Sequence, residues 1–204
     1  MKAKLLIGIT GGSGSGKTHF LNSLMEASPS SGITLFSMDN YYKPIEEQIK
    51  DENGIENFDI PEAIDRDRFY KDLIRLKNGE DLRVREYHFN HFDRAPKYID
   101  IPAAHVIIVE GIFTFYYEEI SHLLDLKIYI ETPDYLMLKR RILRDAEERG
   151  YDLDDVLYRF EHHVTPAFSR YIGPSRQQAD LIIPNHQNFN KALEVVQGYI
   201  RQFS

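Results

Sequence analysis

The sequence predicts an α/β fold in which a parallel sheet carries helices on both faces, a three-layer α/β/α sandwich. Two observations predict it. Five short runs, at 5–10, 33–38, 106–109, 126–130 and 181–183, are rich in Ile, Val and Leu with little polar alternation, the pattern of strands buried on both faces. Longer segments of helical or mixed pattern fall between them, and strands alternating with helices build parallel sheets.

Taken in order, the run at 5–10 follows the basic Met1-Lys2-Ala3-Lys4 and leads directly into glycines. It is too short for a signal peptide and reads as a buried strand. A helix is expected over 17–27, with Phe20, Leu21 and Leu24 on its apolar face. A second, over 66–78, carries Phe69, Leu73, Ile74 and Leu76 as a stripe and stops at Asn78-Gly79, a common C-terminal signal. A third, over 133–149, has Thr132 as N-cap and Pro133 at the first helical position. A fourth covers 190–203. Residues 40–65 and 83–103 are less regular, with Pro44, Pro61, Pro96 and Pro102 among many Tyr, Phe and His. Aromatics in such segments pack more often than they bind. No repeat, linker or low-complexity stretch interrupts the chain, so 1–204 reads as one domain.

Composition narrows the function. The 204 residues are 42% hydrophobic and 28% charged, enough for a sizeable core. No stretch approaches the ~18–20 apolar residues that cross a bilayer. Cysteine is absent, which removes disulfides and thiolate metal sites and fits a cytoplasmic protein. The net charge of -7 argues against nucleic acid as a partner. Against that acidic balance, Lys139, Arg140, Arg141, Arg144 and Arg149 form a local basic cluster, either a solvated helix face or an anion site.

Residues Gly11, Gly12, Ser13, Gly14, Ser15, Gly16, Lys17 and Thr18 match G-x-x-x-x-G-K-[ST], the P-loop that cradles nucleotide phosphates. Glycines let successive backbone N–H groups face inward, and the following helix adds the positive end of its dipole. Lys17 can reach the β- and γ-phosphates, and the Thr18 hydroxyl can ligate Mg²⁺. The motif sits between an expected strand and an expected amphipathic helix, as its chemistry requires. The dinucleotide fingerprint G-x-G-x-x-G fails, because Lys17 falls where its third glycine belongs.

Ligands of open parallel sheets bind beyond the carboxyl ends of the strands, and Asp39, Glu110 and Glu131 lie at three such ends. Transfer of a phosphoryl group to an alcohol needs a proton acceptor and an acid beside the metal. Asp39 is the candidate base and Glu110 the candidate metal carboxylate, acting through bound water; Glu131 reads as structural. Arg140, Arg141 and Arg144 share a helical face by three- and four-residue spacing. They are candidates to neutralise the transferred phosphoryl group from a closing lid, against surface ion pairs with Asp145, Glu147 and Glu148.

These residues together resemble the uridine kinase (uridine–cytidine kinase) family of P-loop kinases, from about residue 4 to residue 184. The resemblance runs through the loop at 12–18, Asp39-Asn40-Tyr41-Tyr42-Lys43, Asn57-Phe58-Asp59-Ile60-Pro61-Glu62-Ala63, Val109-Glu110-Gly111-Ile112 and Arg141-Ile142-Leu143-Arg144-Asp145. It continues through Pro166-Ala167-Phe168, Tyr171-Ile172, Pro174-Ser175 and Ala179-Asp180-Leu181-Ile182-Ile183-Pro184. It implies a five-stranded parallel core, a β-hairpin near 82–92, an acceptor-binding insertion at about 40–103 and an arginine-bearing lid at about 133–165. It implies an ATP- or GTP-dependent kinase for the ribose 5′-hydroxyl of uridine or cytidine, with Mg²⁺, in a homodimer or homotetramer. By the same resemblance Asp39 is the catalytic base, and Tyr42, Phe58, Asp59 and Tyr87 surround the nucleoside. Arg141 contacts the ribose side, and Arg144 the phosphates.

The sequence departs from the family where the pyrimidine is read. His88 replaces an Asp, Phe92 occupies the place of a His, His91 stands one position early, and Tyr151 and Arg159 replace Arg and Gln. His91 is the candidate to restore the lost histidine contact. Two rivals remain beside a nucleoside kinase. One is a kinase of another sugar or sugar phosphate, for which Arg83, Arg85 and Arg94 would form a second basic cluster. The other is a nucleotide-binding regulatory protein without catalysis.

Overall fold

The structure is a computed structural model that describes residues 2–27, 32–89, 95–149 and 151–203, with the backbone alone described at 147–149. Five parallel strands form the central sheet in the order β2-β5-β1-β6-β7, from β1 (Leu5–Thr10), β2 (Ile33–Ser37), β5 (Val106–Glu110), β6 (Leu126–Glu131) and β7 (Leu181–Pro184). All five apolar runs are strands of this sheet, with ends shifted by one residue at most.

Alternation along each strand divides the core in two. Leu5, Ile7 and Ile9 of β1 join Phe20, Leu21 and Leu24 of α1 (Lys17–Glu26) and Val196 and Ile200 of α7 (Asn190–Ile200) on one face. Leu6 meets Phe69, Leu73 and Leu76 of α2 (Arg66–Lys77) on the other. The result is the expected three-layer sandwich. An isolated helix as short as α1 is marginal in water, so packing holds it: each fully buried Leu or Phe contributes about 1.5–3 kcal/mol.

Two expectations are corrected. The hairpin does not close within 82–92: β3 (Leu82–Arg85) pairs antiparallel with β4 (Tyr98–Ile101). Its second strand sits between Pro96 and Pro102, which mask a four-residue strand in the sequence. The Thr132 hydroxyl donates 2.8 Å to the Ser15 carbonyl, buttressing the phosphate loop, and the third helix, α4, spans Asp134–Arg149. The segment after it is also helical: α5 (Leu153–Arg159) runs through a wide turn at Phe160–Val164 into α6 (Thr165–Ala167) and a second wide turn at Phe168–Ile172. Pro166 has no N–H for the regular ladder, and the Thr165 N–H reaches Phe160 O, five residues back, as π-turns do. Of the other expected helices, α2 keeps Asp65 as a true N-cap, its carboxylate accepting from Arg68 N at 3.2 Å.

Candidate active site

The carboxyl ends of the central strands converge. Ser37 and Glu110 are register partners across β2 and β5, and Glu110 also pairs with Ile9 of β1. The phosphate loop leaves β1 beside them. Asp39 follows in a single 3₁₀ turn at Met38–Tyr41, its N–H donating to Ser37 Oγ at 3.2 Å. One cleft of about 280 Å³ is therefore lined by Ser13, Lys17, Thr18, Asp39, Glu110, Arg140, Arg141 and Arg144.

The loop is held from outside. Its Ser15 carbonyl accepts from Thr132 Oγ1 at 2.8 Å, Asn185 Nδ2 at 2.8 Å and Arg140 at 3.1 Å. Drawing carbonyls outward leaves backbone N–H groups for the cleft. Two glycines are required. Gly14 and Gly16 have φ of 80° and 88°, and a Cβ on Gly14 would meet Met137 O at 2.6 Å while one on Gly16 would collide with the Asn185 amide.

Lys17 Nζ donates to Gly11 O at 2.9 Å and Gly12 O at 3.2 Å. Burial lowers its pKa, with Glu110 and Asp39 pulling the other way. Glu110 accepts from the Ser37 hydroxyl, and burial followed by the nearby Asp39 charge pushes its carboxyl up to about 7. Two carboxylates crowd one amine. The oxygen donors of Thr18 and Glu110 on the cleft are the hard ligands that Mg²⁺ prefers. Among the described residues no three His, Asp or Glu side chains form a metal-holding group.

The arginines divide their tasks. Arg140, grouped with the others by spacing, turns back onto the loop and onto Asn185 O at 2.9 Å. Arg141 is 6% exposed and lies between Ser13 Oγ at 3.0 Å, Asp145 at 3.0 Å and Asp59 at 3.4 Å. Burial lowers its pKa, but Asp59 and Asp145 more than compensate and raise it. Arg144 donates to the other Asp145 oxygen at 2.9 Å. Asp145 is a buried bracket between them rather than a surface partner. The side chains of Glu147, Glu148 and Arg149 lie outside the described residues.

Across the cleft stands a wall of rings. Tyr42 contacts Phe58, Tyr87 and Phe89 with centroids 5.8, 5.4 and 5.1 Å apart. Tyr42, Phe58, Asp59 and Phe89 line the cleft. Tyr87 packs behind Tyr42 and faces an adjoining hollow with His88, Arg68 and Arg85. The sequence leaves Phe89 and Asn185 unassigned, and it gives Thr132 and Arg140 roles other than holding the Ser15 carbonyl. His91, Phe92 and Arg94 lie outside the described residues. Of the other basic residues near the hairpin, Arg83 is exposed and 3.9 Å from Asp100. Tyr151 and Arg159 meet each other, the guanidinium lying 5.1 Å from the ring centroid. Glu131 pairs with Arg176 at 2.7 Å.

A family model described as "Phosphoribulokinase / Uridine kinase family" matches residues 6–191. The chain is 39% identical to a uridine kinase of Borrelia turicatae (strain 91E135) over 196 residues, 96% of this chain and 94% of that one. It is 34% identical to uridine-cytidine kinase B of Dictyostelium discoideum over 199 residues, 98% of this chain and 82% of the other. Among solved structures it resembles phosphoribulokinase from Rhodobacter spheroides, with a TM-score of 0.58 at 18% identity over 90% of this chain and 71% of that chain.

Proposed function

The chain belongs to the phosphoribulokinase/uridine kinase family, and from that premise we infer that it is a phosphotransferase moving the γ-phosphoryl group of ATP, or GTP, onto the 5′-hydroxyl of uridine or cytidine. One observation carries the reading: the phosphate loop, Asp39, Glu110, the rings of Tyr42, Phe58 and Phe89, and the lid arginines line a single cleft. A donor nucleotide and a ring-bearing alcohol would there lie side by side. Its relatives named uridine kinase and uridine-cytidine kinase supply the acceptor. The reaction places the enzyme in pyrimidine salvage.

In this reading residues 11–18 hold the triphosphate through backbone N–H groups, and Lys17 leaves the Gly11 and Gly12 carbonyls for the β- and γ-phosphates. Thr18 and Glu110 would hold Mg²⁺, which when bound offsets the phosphate charge. Tyr42, Phe58 and Phe89 enclose the base, with Tyr87 backing Tyr42 and His91 assigned to the same side. Asp59 and Arg141 hold the ribose. Asp39 then accepts the proton of the 5′-hydroxyl as its oxygen attacks the γ-phosphorus, and the γ–β bridging oxygen departs with ADP. Lys17, Arg141 and Arg144 stabilise charge on the transferred group. The insertion at 40–103 forms the acceptor side of a single domain, and 133–165 closes over the phosphates, excluding the water that would compete with the hydroxyl. The working assembly is a homodimer or homotetramer in the cytoplasm, with no nucleic-acid or membrane partner; no described helix is long and apolar enough to cross a membrane.

The deciding experiment follows ADP release and phosphorylated product from ATP·Mg²⁺ with uridine, cytidine, other nucleosides and pentose phosphates. Product from uridine or cytidine is expected. Turnover confined to pentose phosphates would replace the acceptor, and no turnover with any alcohol would remove the enzymatic reading.

A further inference from the structure

Beyond the cleft, the insertion and the lid are joined by a polar contact that the phosphoryl transfer does not use. Asp51 sits in a tight loop: its N–H donates to Ile55 O at 2.9 Å, and its Oδ1 accepts from the backbone N–H groups of Asn53 and Ile55 at 2.9 Å. Lys50 and Glu56 close the loop as an ion pair at 3.1 Å. The second oxygen of the same carboxylate leaves the loop. Oδ2 accepts from the Tyr158 hydroxyl at 2.8 Å and lies 2.8 Å from His163 Nε2. Asn53 Nδ2 donates to Tyr158 Oη at 2.6 Å. A second tie lies alongside, where Arg159 donates to the Glu56 carbonyl at 2.8 Å.

The chemistry of these groups makes the contact specific. His163 is 2% exposed and its buried Nδ1 has no hydrogen-bond partner, so Asp51 supplies the imidazole's one side-chain hydrogen bond. Burial would raise the Asp51 carboxyl, but hydrogen bonds from Ile55, His163, Tyr158 and Asn53 outweigh it and hold the group well below the usual carboxylate range. An ionised carboxylate only accepts, so Nε2 carries the proton. The wide turn at Phe160–Val164 carries His163 on the same helical path as Tyr158.

Both sides of this contact lead to the cleft. The loop runs directly into Phe58 and Asp59, while the helix follows α4, which carries Arg141. Asp59 and Arg141 face each other at 3.4 Å. We propose that Asp51 is a positioning residue for the acceptor: its latch onto Tyr158 and His163 fastens residues 50–56 to the lid, keeping Phe58 and Asp59 opposite Arg141. Lid and acceptor wall then move as one body, and acceptor binding does not have to order them separately. The proposal rests on the cleft being the acceptor side of a nucleoside kinase.

Asp51→Asn tests it cleanly, because the amide keeps an acceptor for the loop N–H groups and turns a donor toward Tyr158 and His163. The expected result is a rise of about tenfold in the uridine KM, the scale of a lost hydrogen bond to a charged group. The KM for ATP and kcat should stay within about twofold. In the ligand-free protein, hydrogen exchange should quicken together at 50–59 and 153–165. Tyr158→Phe should reproduce the effect in part, and the double variant should be no worse than Asp51→Asn alone. An unchanged uridine KM, or equal losses in uridine KM, ATP KM and kcat, would overturn the proposal. Should the wild type phosphorylate no nucleoside, the functional reading falls, and exchange decides the latch by itself: joint loosening sustains it and unchanged protection ends it.

Discussion

Asn185, at the end of the last strand, donates its side-chain amide to the carbonyl of Ser15, 170 residues earlier, at 2.8 Å. The same carbonyl receives Thr132 and Arg140. The conformation of the phosphate loop is thus determined by three distant donors as well as by its own glycines.

Removing one donor should loosen the loop before it unfolds the domain. Asn185→Ala leaves Ser15 O with two partners but opens a hole beside Gly16, where Asn185 is only 2% exposed. The expected loss is about 1–3 kcal/mol of stability, as for other buried hydrogen-bonded groups. Nucleotide affinity should fall, with the uridine KM unchanged. A thermal melt and a nucleotide titration check this, and wild-type nucleotide affinity would show that the loop holds its shape without Asn185.

Lys17 is held by two loop carbonyls, so losing its charge leaves the fold largely intact. Lys17→Met is expected to lower kcat by about 10²–10³-fold, the usual cost of one preorganised charge contact in a transition state. Single-turnover kinetics beside a melt separate this from misfolding.

Asp39 stands exposed at the cleft beyond the end of β2, and Asp39→Asn changes one oxygen without changing shape. Turnover should be abolished while ATP binding stays largely as it was. Full activity in this variant would take Asp39 out of the mechanism.

What the sequence made legible follows from range. The strands of the central sheet, the phosphate loop, and the carboxylates Asp39 and Glu110 are set by local patterns of two to eight residues, and the structure has a strand at each of the five apolar runs. Arg140, Thr132 and Asn185 could not be assigned the same way, because their partners lie 45 to 170 residues away and no local spacing encodes such contacts. Periodicity put Arg140 on the face of Arg141 and Arg144, but a long side chain can reach either side of its helix edge. Tyr98–Ile101 was lost between two prolines. Phe89 was read as part of the hairpin, yet its ring reaches Tyr42 and Phe58. The Asp51 latch joins a polar loop to a helix interrupted by Pro166, and neither shows a periodic signal.

The latch also gives a signed dependence on pH. The Asp51 carboxyl is shifted below its ordinary value of 3.8, so the folded state holds its proton more weakly than the unfolded chain. Its contribution is therefore fully present above that value and is lost as pH falls below it toward the folded pKa. The gap in melting temperature between wild type and Asp51→Asn should shrink once pH drops below about 4. A gap that survives to acid, or widens there, would mean that the ionised carboxylate is not what holds the loop.

Asp145 offers the sharpest test of how the arginines are set. It is 1% exposed and its two oxygens hold Arg141 at 3.0 Å and Arg144 at 2.9 Å. Breaking a buried ion pair from one side is costly because the remaining charge stays desolvated. Arg141 would be left with Ser13 and a longer contact to Asp59. Asp145→Ala should therefore lose about 3–5 kcal/mol in urea unfolding. Asp145→Asn keeps one acceptor and should lose less. In both variants kcat should fall with the freedom returned to Arg141 and Arg144, since a guanidinium that must be ordered during the reaction stabilises the transferred phosphoryl group less. If Asp145→Ala unfolds within about 1 kcal/mol of wild type, the three residues act as an exposed surface pair would. The lid arginines would then take their positions from the phosphates alone.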